Sequence, residues 1–85
     1  MARETDVQGE VYEKVHKWMR DFGVSGTFDI ADDNFTLDVG VAYVTLLELS
    51  ILRDDLISVG VKDDTLWINL ELIGGEPVLV ISGKW

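Results

Sequence analysis

The sequence predicts an α+β domain in which an N-terminal helix packs on one face of a mostly antiparallel, meander-like sheet of five to six strands. Three observations predict it. An apolar stripe at helical spacing runs through residues 5–22. Strict alternation marks residues 65–73, with Leu66, Ile68, Leu70 and Leu72 on one face and Trp67, Asn69, Glu71 and Ile73 on the other. Clusters of Asp, Asn and Gly punctuate the remainder at intervals suited to short strands. At 85 residues the chain reads as a single domain spanning 1–85, able to bury roughly 60–65% of its unfolded surface.

The helix, expected over about 5–22, opens on Thr5-Asp6-Val7-Gln8, a capping-box pattern. Val7, Val11, Val15, Trp18 and Phe22 form its stripe, edged by Tyr12 and Met19. Acids lie early (Asp6, Glu10, Glu13) and bases late (Lys14, Lys17, Arg20), as the helix dipole favours, and Gly23 is placed to end the helix. A hairpin follows, with strands about 26–31 and 35–40 around Asp32-Asp33-Asn34, and Gly40–Ala42 reads as a tight connection. Residues 43–52 suit a strand, with Leu47, Leu49 and Ile51 inward, but also a helix, because leucine is a good helix former. The strand is preferred here because Arg53-Asp54-Asp55 reads as a turn. Three further strands, about 56–61, 65–73 and 77–82, complete the meander, with turns at Lys62-Asp63-Asp64 and Gly74-Gly75-Glu76.

Charge narrows the function. The net charge is −9, and residues 22–85 carry −8 of it. Nothing in such a chain would displace the counterions of nucleic acid or seek an anionic membrane, so neither is an expected partner. No apolar run approaches the roughly 20 residues of a membrane span. The start, Met-Ala-Arg-Glu-Thr, has no apolar leader, so the chain reads as complete and cytoplasmic. It has no cysteine, hence no disulfide framework and no thiolate metal site.

The candidate partner-binding surface is the outer sheet face, where alternation places Asp29, Asp38, Glu48 and Glu71 around Trp67, with Thr27, Thr36 and Asn69 beside them. Carboxylates around a large aromatic suit a basic protein surface, and tryptophan is enriched at binding hot spots. An ordinary solvated face is the plainer reading of the same residues. A second patch, Ile73, Leu79, Ile81 and Trp85, falls outside the core if Val78 and Val80 point inward, and suits a homodimer or a docked protein. The acidic turns Asp32-Asp33, Asp54-Asp55 and Gly75-Glu76 would share one end of a meander, with Asp63-Asp64 at the other. None has calcium-loop spacing, and aspartate is a favoured turn residue. His16, the only histidine, has no Cys or second His to complete a metal set and no nucleophile motif nearby. The glycines match no phosphate loop. No enzyme, cofactor or metal is expected.

The leading reading is thus a small acidic, non-enzymatic protein-binding domain. In charge and size alone it resembles phage-type inhibitors and DNA mimics that occupy a basic surface of a larger partner. The alternatives are a dimeric adaptor like the acidic chaperones of secretion systems, and a structural domain whose acidity is adaptation to high salt. Ten Asp against six Glu fits the last.

Overall fold

The computed structural model describes residues 4–40 and 44–85. Two helices lie against one face of a four-stranded antiparallel sheet, in the order α1 (Glu4–Phe22), β1 (Gly26–Ile30), β2 (Asn34–Gly40), α2 (Leu46–Ser58), β3 (Trp67–Ile73) and β4 (Glu76–Lys84). The spatial strand order is β1-β2-β4-β3, so the sheet is not a simple meander. The α+β class and the N-terminal helix stand as expected; the five to six strands become four.

α1 buries Val7, Val11, Val15 and Trp18, the predicted stripe, while Phe22 stays partly exposed. Gly23 adopts φ 64°, and the Val24 N–H reaches back to the Met19 carbonyl at 2.8 Å, closing the helix with a left-handed glycine. At the other end Glu4 and Thr5 are already helical, so Thr5 does not precede the helix as the expected cap. The expected hairpin forms between β1 and β2, with Phe28 opposite Leu37 and Ile30 opposite Phe35. Of the tight connection expected at 40–42, Gly40 belongs to β2 and residues 41 and 42 lie outside the described residues.

The strands expected at 43–52 and 56–61 are replaced by one helix and the loop after it. The reason is local. Thr45 caps α2 by accepting the Glu48 N–H at 3.2 Å, and its hydroxyl donates to Glu48 Oε1 at 3.1 Å. Thr45-Leu46-Leu47-Glu48 thus has the spacing of a capping box, with the Glu48 carboxylate accepting the Thr45 hydroxyl, and Leu49, Leu52 and Leu56 form the buried stripe behind it. Arg53 and Asp54 sit on the solvent side of this helix, not in a turn. After α2, Gly60 at φ 120° turns the chain, and a Cβ there would lie 3.1 Å from Val7 of α1.

The core is one cluster between the helices and the inner sheet face, centred on Phe35, Leu37, Val39 and Ile81 with Leu52, Leu56, Val11 and Val15. β4 enters it by pairing with β2, Leu37 opposite Ile81 and Phe35 opposite Gly83. Gly83 is required by that packing, since a Cβ would meet Leu66 Cδ2 and Phe35 Cε1 at 2.9 Å and Val61 Cγ1 at 3.0 Å. Replacing Gly83 with Ala is therefore expected to destabilise the fold by about 1–3 kcal/mol through overpacking. A lower urea midpoint at unchanged slope would report it, and an unchanged midpoint would mean that this corner is loosely packed.

Gly40, the last described residue of β2, pairs with Val78, and the β3–β4 hairpin continues from there to Gly74-Gly75. The molecule is correspondingly elongated, 42 Å against 22 and 19 Å. Ile68, Leu70 and Leu72 share the inner face with Ile81 and Leu79, as alternation predicts, but no described helix covers the outer part of this hairpin, and Leu70 and Leu72 are 67% and 76% exposed. No described helix is long and apolar enough to cross a membrane.

Candidate functional site

Register places the outer-face residues in rows. Asp29, Thr36, Ser82 and Trp67 stand opposite one another across all four strands; the next row is Thr27, Asp38, Val80 and Asn69; the third holds Gly40, Val78 and Glu71. Three of the four sequence-predicted acids therefore share one face with Trp67, and they descend it diagonally. With strands about 4.8 Å apart and rows about 6.8 Å apart, Asp29 and Asp38 lie roughly 8 Å apart and Glu71 roughly 12 Å beyond. None of the three makes a salt bridge with a described residue; the ion pairs among those residues belong to Arg53, with Asp63 at 2.7 Å and Asp54 at 3.5 Å.

Trp67 is 63% exposed at the edge of this face. Beside it is a shallow hollow of about 390 Å³ lined by Thr36, Thr65, Ser82 and Lys84 among others. Thr65 holds the hollow's floor: its hydroxyl donates to the Lys62 carbonyl at 2.7 Å and accepts the Lys84 N–H at 2.9 Å. The arrangement offers an aromatic plate, hydroxyls, the Lys84 ammonium and the Asp64 carboxylate at one end of the acidic face.

Glu48 does not belong to this face. It caps α2, its Oε2 is buried without a hydrogen-bond partner among the described residues, and its backbone carbonyl accepts the Trp18 indole N–H at 2.8 Å. The misplacement follows from reading residues 43–52 as a strand.

The second predicted patch is not one surface. Ile81 is 3% exposed in the core and Leu79 packs against it, on the inner face, whereas Ile73 is on the outer face. Val78 and Val80, expected inward, are the outer-face residues of β4. Residues 77–81 are apolar throughout, so β4 carries no alternation of its own and takes its register from β2. Trp85 is a structural clamp: its ring stacks on Phe35 at 6.5 Å and 12°, and its indole N–H donates to the Asp32 carbonyl at 2.9 Å.

The acidic turns are also redistributed. Asn34 pairs with Lys84, so Asp32-Asp33 and Asp63-Asp64 lie at the same end, Gly75-Glu76 at the opposite end, and Asp54-Asp55 on α2. No three His, Cys, Asp or Glu side chains among the described residues form a set that could hold a metal ion. His16 is half-buried beside Tyr12, ring centroids 4.2 Å apart, and meets Phe28 edge-on at 5.7 Å.

Sequence reasoning missed the apolar groove between α2 and the β3–β4 pair. It measures about 270 Å³ and is lined by Leu49, Leu52, Leu56, Leu66, Ile68 and Ile81, with Arg53 and Asp63 paired at its rim. The Leu49/Leu52/Leu56 spacing was its only signal. No protein-family model and no curated protein matches the chain.

Proposed function

We propose that this chain is a non-enzymatic protein-binding domain that engages a basic surface of a larger partner through its outer sheet face. The observation that carries the reading is the placement of Asp29, Asp38 and Glu71 on the face that presents Trp67, with no cation of the described chain paired to any of them. Unpaired carboxylates steer a cationic partner, and an exposed tryptophan supplies the apolar anchor that fixes it. A basic protein suits the face better than imitation of a long duplex does. DNA carries a charge about every 1.7 Å of axis, whereas these three acids are spread over four strands. A cytoplasmic site of action belongs to the same proposal, since a cysteine-free chain folds without an oxidising compartment.

The test is a pull-down from nuclease-treated lysate with a salt-gradient elution, repeated with the triple variant Asp29→Asn, Asp38→Asn, Glu71→Gln. Each exposed charge pair contributes about 0.2–1 kcal/mol, so the triple change is expected to weaken partner affinity roughly 3- to 150-fold without lowering the melting temperature. A partner retained equally by the variant, or indifferent to salt, would remove the electrostatic reading.

A further inference from the structure

We infer that β3 is a self-association edge, and that two copies of this chain pair antiparallel through it, centred on Leu70, to form one continuous eight-stranded sheet. The inference rests on the backbone edge of β3 and not on the charge of the outer face, although Trp67 and Glu71 belong to both.

The sheet has two edges, and they differ. β1 is five residues long, begins with glycine and carries Asp29. β3 is seven residues long, regular, exposed at every position, and five of those positions are Trp67, Ile68, Leu70, Leu72 and Ile73. It has no lysine, proline or bulge, the devices that ordinarily keep an edge from pairing.

The turn shows which backbone groups are free. Gly74 and Gly75 have φ 62° and 83°, so the two-residue loop is of the type with both central residues left-handed, and Ile73 and Glu76 flank it. The flanking pair of such a turn exchanges hydrogen bonds, and bonding alternates along an antiparallel pair. Ile73, Glu71, Asn69 and Trp67 therefore direct their N–H and C=O groups to β4. Ile68, Leu70 and Leu72 direct theirs to the open edge.

A two-fold axis perpendicular to the sheet pairs residues whose numbers have an even sum, inner face continuing inner face. Centring on Asn69 would put Trp67 opposite Glu71 and two asparagines opposite each other. Centring on Glu71 would oppose two carboxylates, which is repulsive. Centring on Leu70 pairs all seven residues. Trp67 meets Ile73, Ile68 meets Leu72, Leu70 meets Leu70, and Asn69 meets Glu71, an amide donor facing a carboxylate. The free groups of Ile68, Leu70 and Leu72 then lie opposite one another as mutual hydrogen-bonding pairs. Leu72 of the second copy lies beside Ile68, at the mouth of the apolar groove under α2.

Charge favours the same edge. On a chain of net charge −9, β3 carries one acid and no base, so two copies approach there with little repulsion. A strand about 24 Å long, with side chains on both faces, buries on the order of 500 Å² per chain, less than the roughly 800 Å² of a standard interface. That area suits a micromolar dimer more than an obligate one.

Sedimentation or light scattering of the full chain at ~50 µM, well above a Kd of about 1 µM, is expected to give twice the 9.5 kDa of one chain. Leu70→Lys, which brings two ammonium groups together on the axis, and Leu70→Pro, which removes an edge N–H without touching the β4 ladder, should each return the monomer mass. Leu70→Cys should crosslink to a covalent dimer on mild oxidation, because the paired Cα atoms would lie about 5.5 Å apart. Glu10→Cys on the exposed side of α1 should crosslink at least tenfold more slowly. A monomer at this concentration would overturn the inference. So would a dimer that survives Leu70→Lys and leaves Leu70→Cys no faster than Glu10→Cys, and this pair of readings holds even if the proline variant fails to fold.

Discussion

Replacing Trp18 with Ala should remove a large share of the molecule's stability. The side chain is 3% exposed between the two helices and the sheet, and its indole N–H donates to the Glu48 carbonyl in the first turn of α2 at 2.8 Å. Truncating a buried tryptophan costs about 3–5 kcal/mol, and the lost hydrogen bond adds about 1 kcal/mol. A chain of this size has on the order of 4–13 kcal/mol in total. Trp18→Phe separates the two contributions: it keeps most of the packed volume and should cost only about 1–2 kcal/mol. The measurement is the urea midpoint followed by circular dichroism. If Trp18→Ala moved it by less than about 1 kcal/mol equivalent, the α1–α2 contact would not be what holds α2 against the sheet.

That contact also marks where the sequence stopped being readable. α1 was legible because its apolar residues fall on one side only. The β1–β2 hairpin was legible because Phe28, Ile30, Phe35 and Leu37 alternate cleanly around an Asp/Asn turn. α2 was not, because it is apolar on more than one side: Leu46 and Leu47 are exposed beside the buried Leu49, Leu52 and Leu56, which blurs the helical period. The capping pattern Thr45-x-x-Glu48 was the stronger signal there, and it outweighs the Arg53-Asp54-Asp55 run that read as a turn. β4 failed differently: with apolar residues at 77–81, nothing local distinguishes its two faces, and only pairing with β2 decides that Ile81 goes inward. The outer-face acids of β1, β2 and β3 were found because those strands do alternate. Glu48 was assigned with them only through the error in α2.

The three tryptophans give the sharpest contrast between structure and surface. Measured on the monomer, well below the dimer Kd of about 1 µM, Trp85→Ala is expected to destabilise the fold by about 2–3 kcal/mol, whereas Trp67→Ala should change stability by less than about 0.5 kcal/mol. Trp85 lost its place as a docking residue to the work it does at the β1–β2 turn. Its backbone N–H donates to the Asp33 carbonyl at 3.0 Å, its indole N–H to the Asp32 carbonyl, and its ring lies parallel to that of Phe35. The alanine variant keeps the first of these and loses the other two. Trp85→Phe keeps the stack and loses the indole bond, so it should fall about 1 kcal/mol short of the native protein. Trp67, in contrast, projects from an edge strand with most of its surface in water, and its removal leaves the core untouched. Its loss should appear in binding instead: an anchor of this kind contributes about 2 kcal/mol or more at an interface. Equilibrium unfolding of both alanine variants, alongside partner affinity, would separate the roles. A Trp67→Ala monomer as unstable as the Trp85→Ala monomer would mean that Trp67 packs within its own subunit; at tens of micromolar, where two copies pair through β3, its loss should instead weaken dimerisation.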